Sequence, residues 1–274
     1  LLYARFITKA LRDMGYLNFD EPFKSLVHQG IILGPDGQKM SKSKGNTINP
    51  DGYIQKYGSD VLRMYLEFAF AYTEGGPWND AGIEAMGRFV KRIEAMFEKY
   101  ATLPDDVHEM GKAEKELNFV RHTTIKSVSR DVELFQFNTS LARMMEYLNA
   151  LNQYMQGKVN KSFLKECLET YILLLAPFAP HFSEELWESL GHSESVFKQS
   201  YPVADESAMV KDEMTLAVQV NGKVRAELSI ASNATDEQIK EAGLAMPAVQ
   251  KFIEGKQVVK TIIVPKKLLS IVVK

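Results

Sequence analysis

Residues 30–46 read G-I-I-L-G-P-D-G-Q-K-M-S-K-S-K-G-N, and three structural states follow one another along them. The β-branched run at Ile31-Ile32 predicts a strand, which we extend over Phe23–Leu33 on the strength of Leu26 and Val27. Gly34-Pro35-Asp36-Gly37 is strong turn chemistry, and Gln38–Asn46 is short, polar and cationic, which predicts an exposed loop. Downstream, Asn49-Pro50-Asp51 predicts a helix start and Gly58 divides two helices. The second is expected over Val61–Tyr72, with Leu62, Tyr65, Leu66 and Ala69 on one face. Upstream, Leu2, Phe6, Ile7, Ala10, Leu11 and Met14 recur at three- and four-residue spacing, so Leu1–Met14 reads as an amphipathic helix stopped by Gly15.

Beyond Gly75-Gly76-Pro77 the pattern changes. Ala81–Leu190 carries four or five long helical periodicities with almost no strand signal, broken near 101–111, 137–138, 157–160 and 177–180, which describes a helix bundle. Ser183 is expected to cap the last of these helices, with Glu184 and Glu185 in its first turn and Gly191 beyond its end. Tyr201–Glu213 reads as a linker. In the tail, Leu216, Val218 and Val220 alternate, Asn221-Gly222 turns the chain, and Val224, Ala226, Leu228 and Ile230 alternate back. A two-residue loop would pair Val218 with Arg225 and split the apolar face. We therefore expect a three-residue loop with Gly222 left-handed, pairing Val218 with Val224. Thr235–Gln238 is a capping box opening a helix, Gly255 ends a second helical stretch after Pro247, and strands are expected at Val258–Val264 and Leu268–Val272.

The composition is that of an ordinary globular protein: 274 residues, 45% hydrophobic and 25% charged, with a formal charge of −2. Such a near-neutral total gives no attraction of the whole chain to nucleic acid or anionic membrane, so a polyanionic partner has to be met by local patches. The single Cys167 excludes a disulfide within the chain, and with five scattered histidines no Cys/His zinc spacing can be assembled. A reducing setting is expected. The longest apolar run, around Tyr171–Phe178, is too short to span a membrane and is broken by Pro177 and Pro180. The chain opens at Leu1 inside a predicted helix, and we expect it to be part of a longer polypeptide.

The loop Lys39-Met40-Ser41-Lys42-Ser43 is where chemistry is expected. Two lysines three residues apart, with hydroxyls between them and Lys44 following, can wrap a polyphosphate. The ammonium groups neutralise charge while Ser hydroxyls and loop amides donate hydrogen bonds. No G-x-x-x-x-G-K-[ST] occurs, so this is not a Walker loop. A generic K-x-x-K also suits an ordinary solvated loop. The full string is more specific, because five given letters arise by chance in a chain this long with a probability of about 10⁻⁴.

K-M-S-K-S resembles the signature loop of class I aminoacyl-tRNA synthetases. Residues 30–50 with Y-G-S-D-V-L-R-M-Y (Tyr57–Tyr65) resemble the leucine/isoleucine/valine subgroup. L-L-A-P-F-A-P-H-F-S-E-E-L-W (Leu174–Trp187) is similar to that subgroup's anticodon-binding helical domain. V-Q-V-N-G-K-V-R (Val218–Arg225) is similar to the C-terminal domain of the bacterial leucyl members. The resemblance implies a mainly α chain with a small α+β C-terminal domain. Its parts would be the end of a Rossmann-type catalytic domain with the signature loop (1–78), an anticodon-binding-type bundle (79–200), a linker (201–213) and a mixed-sheet tRNA-binding domain (214–274).

It also implies roles. Lys42 would contact ATP phosphates and stabilise departing pyrophosphate, Lys39 would assist, and Met40, Ser41 and Ser43 would complete the ATP-binding loop. Arg88, Lys91 and Arg92, in W-N-D-A-G-I-E-A-M-G-R-F-V-K-R (Trp78–Arg92), would meet tRNA backbone; a solvated helix face is the alternative. From Met214 onward nine cations face five anions, a net +4. Lys223, Arg225, Lys266 and Lys267 are the tRNA contacts we expect in this module, by shape and phosphate rather than sequence. The implied partners are tRNA(Leu), ATP with Mg²⁺ as substrate, and leucine. No metal is expected to be held by this chain and no membrane to be bound, and the full enzyme is expected to be a cytoplasmic monomer. The family's second signature, H-x-G-H, is absent from this sequence, so the chain alone is expected not to activate leucine. The competing expectations are a non-catalytic tRNA- or RNA-binding subunit or paralogue and, more weakly, a structural helical scaffold.

Among other residues, His181 is expected to be a packed, hydrogen-bonded histidine and His28 to be structural. Cys167 and Trp187 are expected in the core.

Overall fold

The computed structural model describes residues 1–107, 109–210, 213–232, 234–264 and 267–274. They divide into two units, Leu1–Leu117 with Thr123–Ala204, and Asn118–His122 with Asp205–Lys274. The chain is mainly helical, with two small sheets.

In the first unit α1 (Leu2–Asp13) forms where the spacing predicts it, and Gly15 follows at φ 81°. Its apolar residues Leu2, Phe6, Ile7 and Met14 are exposed. Its polar side ties to the following turn through Arg5–Glu21 at 2.7 Å, Lys9–Glu21 at 3.0 Å and Arg12–Asp20 at 3.1 Å. The expected strand over Phe23–Leu33 shrinks to β1 (Ile31–Leu33), paired in parallel with β2 (Gly75–Pro77). Gly30 N–H is taken by the Tyr72 carbonyl at 2.7 Å, which ends the ladder there, and Phe23, Leu26 and Val27 lie exposed without a strand partner among the described residues.

Between these strands lie α2 (Pro50–Tyr57), capped by the Asn49 side chain, and α3 (Ser59–Phe68). The expected helix to Tyr72 stops four residues early, because the chain must turn through Ala71–Gly75 to feed β2. The buried face of α3 is Val61, Leu62, Met64 and Tyr65, whereas Leu66 and Ala69 are exposed.

Where four or five helices are expected, the described residues of the bundle form five: α4 (Asp80–Thr102), α5 (Lys112–Glu133), α6 (Phe137–Tyr154), α7 (Lys161–Leu175) and α8 (Pro180–Ser189). Ile83, Met86, Ile93, Leu141, Met144, Leu151, Leu168 and Tyr171 fill its core at 0–1% exposure, which is where most of the hydrophobic stabilisation resides. Cys167 is buried, as expected, and its carbonyl accepts the Tyr147 hydroxyl at 3.1 Å. Trp187 is also buried and stacks on His192 at 3.8 Å between ring centroids. The start of α8 differs from the expected one. Pro180 occupies the first position with its preset φ, so the helix begins before Ser183, which is buried inside it and donates its N–H to the Ala179 carbonyl. Gly191 follows the helix at φ 91°, as expected.

The second unit carries β3 (Glu213–Val220), β4 (Lys223–Ala231), α9 (Asp236–Ala245), α10 (Pro247–Ile253), β5 (Val258–Val264) and β6 (Leu268–Val273). The sheet order is β4-β3-β6-β5, with β3 and β6 parallel and the outer pairs antiparallel. The Thr235 capping box opens α9 as expected. The hairpin register departs from the expected one. Val220 pairs with Lys223 across a two-residue turn with both Asn221 (φ 49°) and Gly222 (φ 78°) left-handed, and Val218 pairs with Ala226. The extra residue sits at Arg225, between Gln219↔Val224 and Val218↔Ala226. An Asn-Gly turn of this type matches the strand twist, so the bulge moves into β4 and still keeps Val218, Val220 and Leu228 on the buried face. Val224 is left outside, 57% exposed.

Candidate functional site

The signature loop is a clamped excursion from β1. Gly37 N–H returns to the Gly34 carbonyl at 2.9 Å, Gly34 N–H donates to Gln38 at 2.8 Å, and Leu33 bridges Lys39 antiparallel. A side chain at Gly34 would press to 2.7 Å from Asp36 Oδ1 and 3.0 Å from Asn46 Nδ2, so the tight base of the loop needs glycine. Asn46 closes it. Its Oδ1 accepts Ser41 N–H at 2.9 Å, and its Nδ2 donates to Asp36 Oδ2 at 3.0 Å. Asp36 in turn accepts Gln38 N–H at 3.0 Å; that bond and the Asn46 amide hold its carboxyl below the usual carboxylate range.

Within the clamp, Lys42–Lys44 form one 3₁₀ turn ended by Gly45 at φ 67°, and the Ser41 and Ser43 hydroxyls hydrogen-bond each other at 2.8 Å. Met40 is half-buried. Lys39 and Lys42 are exposed and pair with no carboxylate among the described residues. The backbone is thus held while two ammonium groups stand free, an arrangement suited to receiving a polyphosphate.

An aromatic node links this segment to the bundle. The Trp78 ring lies 4.8 Å from Tyr53 and 4.9 Å from Tyr65 between centroids. Tyr53 Oη and Trp78 Nε1 both donate to Asp80 Oδ1, at 2.5 and 2.9 Å; these bonds keep the Asp80 carboxyl low, and the bond to Asp80 raises the Tyr53 phenol. The Tyr65 hydroxyl accepts Asn79 N–H at 2.8 Å, at the start of α4. On α3, Asp60 accepts His181 Nδ1–H at 2.9 Å and Phe182 N–H at 2.7 Å. His181 is hydrogen-bonded as expected but not packed: its side chain is 81% exposed. His28 lies exposed in the irregular segment before β1.

Of the expected tRNA contacts, Arg88, Lys91 and Arg92 share the exposed side of α4, opposite Phe89 and Ile93, with Arg92 Nη2 donating to Asn149 Oδ1 at 2.6 Å. In the second unit Lys223 and Arg225 lie together at the hairpin end, and Lys267 stands midway along β3, its carbonyl accepting Ala217 N–H at 3.2 Å. Lys266 lies outside the described residues. The Arg225 guanidinium sits over Phe252 at 3.9 Å. Among the described residues no group of three or more His, Cys, Asp or Glu is placed to hold a metal, and no helix is long and apolar enough to cross a membrane.

The clamp residues Asp36 and Asn46 and the tie from Asp60 were not singled out from the sequence. A G-N pair closing a lysine loop was the available signal for Asn46; a lone Asp in a helix first turn carries none.

Two family profiles match the chain: tRNA synthetases class I (I, L, M and V) over residues 6–75, and the anticodon-binding domain of tRNA ligase over residues 114–241. Over its whole length the chain is 59% identical to a leucine–tRNA ligase of Clostridium tetani and 54% identical to one of Caldanaerobacter subterraneus subsp. tengcongensis. It spans about a third (34%) of the length of these curated relatives. It also matches, at a TM-score of 0.78 and 34% identity, the LeuRS of Agrobacterium radiobacter K84 agnB2 in its ternary complex with tRNA and LeuAMS, covering all of this chain and 36% of that one.

Proposed function

We propose that the chain, which matches the class I tRNA synthetase profile over residues 6–75 and resembles leucine–tRNA ligases along its full length, works as the C-terminal portion of a leucine–tRNA ligase. In the full enzyme it supplies the ATP-binding signature loop and the tRNA-binding surfaces for joining leucine to tRNA(Leu). One observation carries this proposal: the loop backbone is clamped by Asn46 while Lys39 and Lys42 stand exposed and, among the described residues, pair with no carboxylate.

Leucyl-adenylate forms when the leucine carboxylate attacks the α-phosphate of ATP and pyrophosphate leaves. Negative charge then accumulates on the leaving oxygens, and Lys42, assisted by Lys39, meets it there. Met40, Ser41 and Ser43 complete the loop, with serine hydroxyls and loop amides donating to phosphate. Such stabilisation acts on the transition state more than on bound substrate. Magnesium arrives with ATP as part of the substrate. Arg88, Lys91, Arg92, Lys223, Arg225 and Lys267 neutralise tRNA phosphates, and Lys266 belongs to the same set by its neighbourhood in sequence. The full enzyme acts as a monomer in the cytoplasm.

The chain by itself is inactive, because the amino-acid pocket and the H-x-G-H signature belong to a part of the enzyme that this sequence does not contain. ATP–pyrophosphate exchange tests this: the isolated chain is expected to give none and the full-length enzyme to give exchange and charging. Exchange by the isolated chain would overturn the division of labour. Salt-dependent tRNA binding by a full-length protein without charging would favour the non-catalytic binding subunit.

A further inference from the structure

The start of α8 has no cap of its own. Ala179 precedes it with no side-chain acceptor, Pro180 brings no N–H, and the free donor at Phe182 would otherwise go unmet. The acceptor comes from a helix more than a hundred residues away: Asp60 Oδ2 takes Phe182 N–H at 2.7 Å while Oδ1 takes His181 Nδ1–H at 2.9 Å. Asp60 is only 9% exposed and itself lies in the first turn of α3. One carboxylate therefore serves the positive ends of two helices, the one that follows the signature loop and the one that closes the bundle.

Resting on the ligase function proposed above, we infer that Asp60 is a positioning residue for aminoacylation. By capping α8 from α3 it sets how the tRNA-binding bundle stands relative to the signature loop. The aromatic node performs the same task for α4, through Tyr65 and Asn79. Asp60 bonds to His181 and Phe182, and among the described residues no hydrogen bond or ion pair joins it to Lys39 or Lys42, so its removal is expected to spare the adenylation chemistry and misplace the tRNA that the bundle carries.

The experiment compares Asp60→Ala and Asp60→Asn with wild type in the full-length enzyme. In Asp60→Ala the kcat/KM for tRNA charging is expected to fall about tenfold or more while ATP–pyrophosphate exchange stays within about twofold. Asp60→Asn, which keeps one acceptor, is expected to fall between, and it carries the comparison if the alanine variant does not fold. Equal losses in exchange and charging, or no loss in charging, would overturn the inference. In the isolated chain, exchange of the Phe182 amide proton is expected to accelerate in Asp60→Ala whether or not the polypeptide is a ligase, and an unchanged rate would also overturn it. A wild-type enzyme that charges no tRNA, with Phe182 still sensitive to Asp60, would instead remove the ligase function and leave the cap standing.

Discussion

Asn46 and Asp36 hydrogen-bond across the root of the signature loop, Nδ2 to Oδ2 at 3.0 Å, while Asn46 Oδ1 accepts the N–H of Ser41. The amide thus joins the turn before the lysines to the backbone between them. In Asn46→Ala the loop keeps both lysines but loses its closure. Adenylate formation by the full-length enzyme is expected to drop roughly tenfold in kcat with little change in leucine affinity, measured by exchange kinetics. An unchanged kcat would mean that the loop holds its shape without the clamp.

Lys42→Ala removes charge stabilisation rather than loop shape. Its expected loss is larger, of order 10²–10³ in exchange kcat, with leucine binding by equilibrium titration near wild type. Equal losses in both would contradict a role in the transition state.

Removal of residues 214–274 from the full-length enzyme deletes the second unit's basic surface and leaves the loop and its aromatic node untouched. Charging is expected to weaken, with a shallower dependence of tRNA binding on salt, while exchange persists. A parallel fall in exchange would disprove the assignment of this module to tRNA.

Glu67 gives a pH signature. Burial pushes its carboxyl up from an ordinary 4.5 to about 7, against the weaker pull of Arg63, and its Oε2 has no hydrogen-bond partner among the described residues. The folded state holds this proton more tightly than the unfolded one, so stability declines as pH rises from about 4.5 to about 7 and levels off above. The loss is up to about 3 kcal/mol. In Glu67→Gln that decline is expected to vanish from denaturation midpoints measured between pH 5 and 8. A wild-type midpoint that stays flat over this range would refute the shift.

The aromatic node should behave as core. Trp78, 7% exposed, fills the space between Tyr53 and Tyr65. Trp78→Ala is expected to cost about 3–5 kcal/mol. Tyr65→Phe, which leaves Asn79 N–H unmet, is expected to cost about 1–3 kcal/mol. Thermal unfolding of the chain reads both, and a Tyr65→Phe variant as stable as wild type would mean that water replaces the hydroxyl.

The tail hairpin illustrates how far periodicity reaches. The alternation of Val218, Val220, Ala226 and Leu228 demands one buried face and therefore an extra residue in the hairpin. It does not say where that residue goes. Asn221-Gly222 can adopt two successive left-handed residues, which keeps the turn short and moves the bulge to Arg225, whose guanidinium then rests on Phe252. The expected helix cap at Ser183 failed for a similar reason: Pro180 starts α8 earlier, and a partner for Phe182 N–H is found on another element.

By itself the sequence determined what depends on neighbours along the chain. The helical bundle, the Thr235 capping box, the strands at Val258 and Leu268, and the lysine loop between a turn and a capped helix all follow from local spacing and side-chain chemistry. Tertiary structure alone decided the contacts that make these parts one site: Asp60 under α8, Tyr65 on Asn79, Asn46 across the loop, and the exposed ring of His181. The physical reason is that a hydrogen bond between residues as far apart as Asp60 and His181 leaves no period or spacing in the chain. Only when packing brings two helix ends together does a single carboxylate become the shared partner of both.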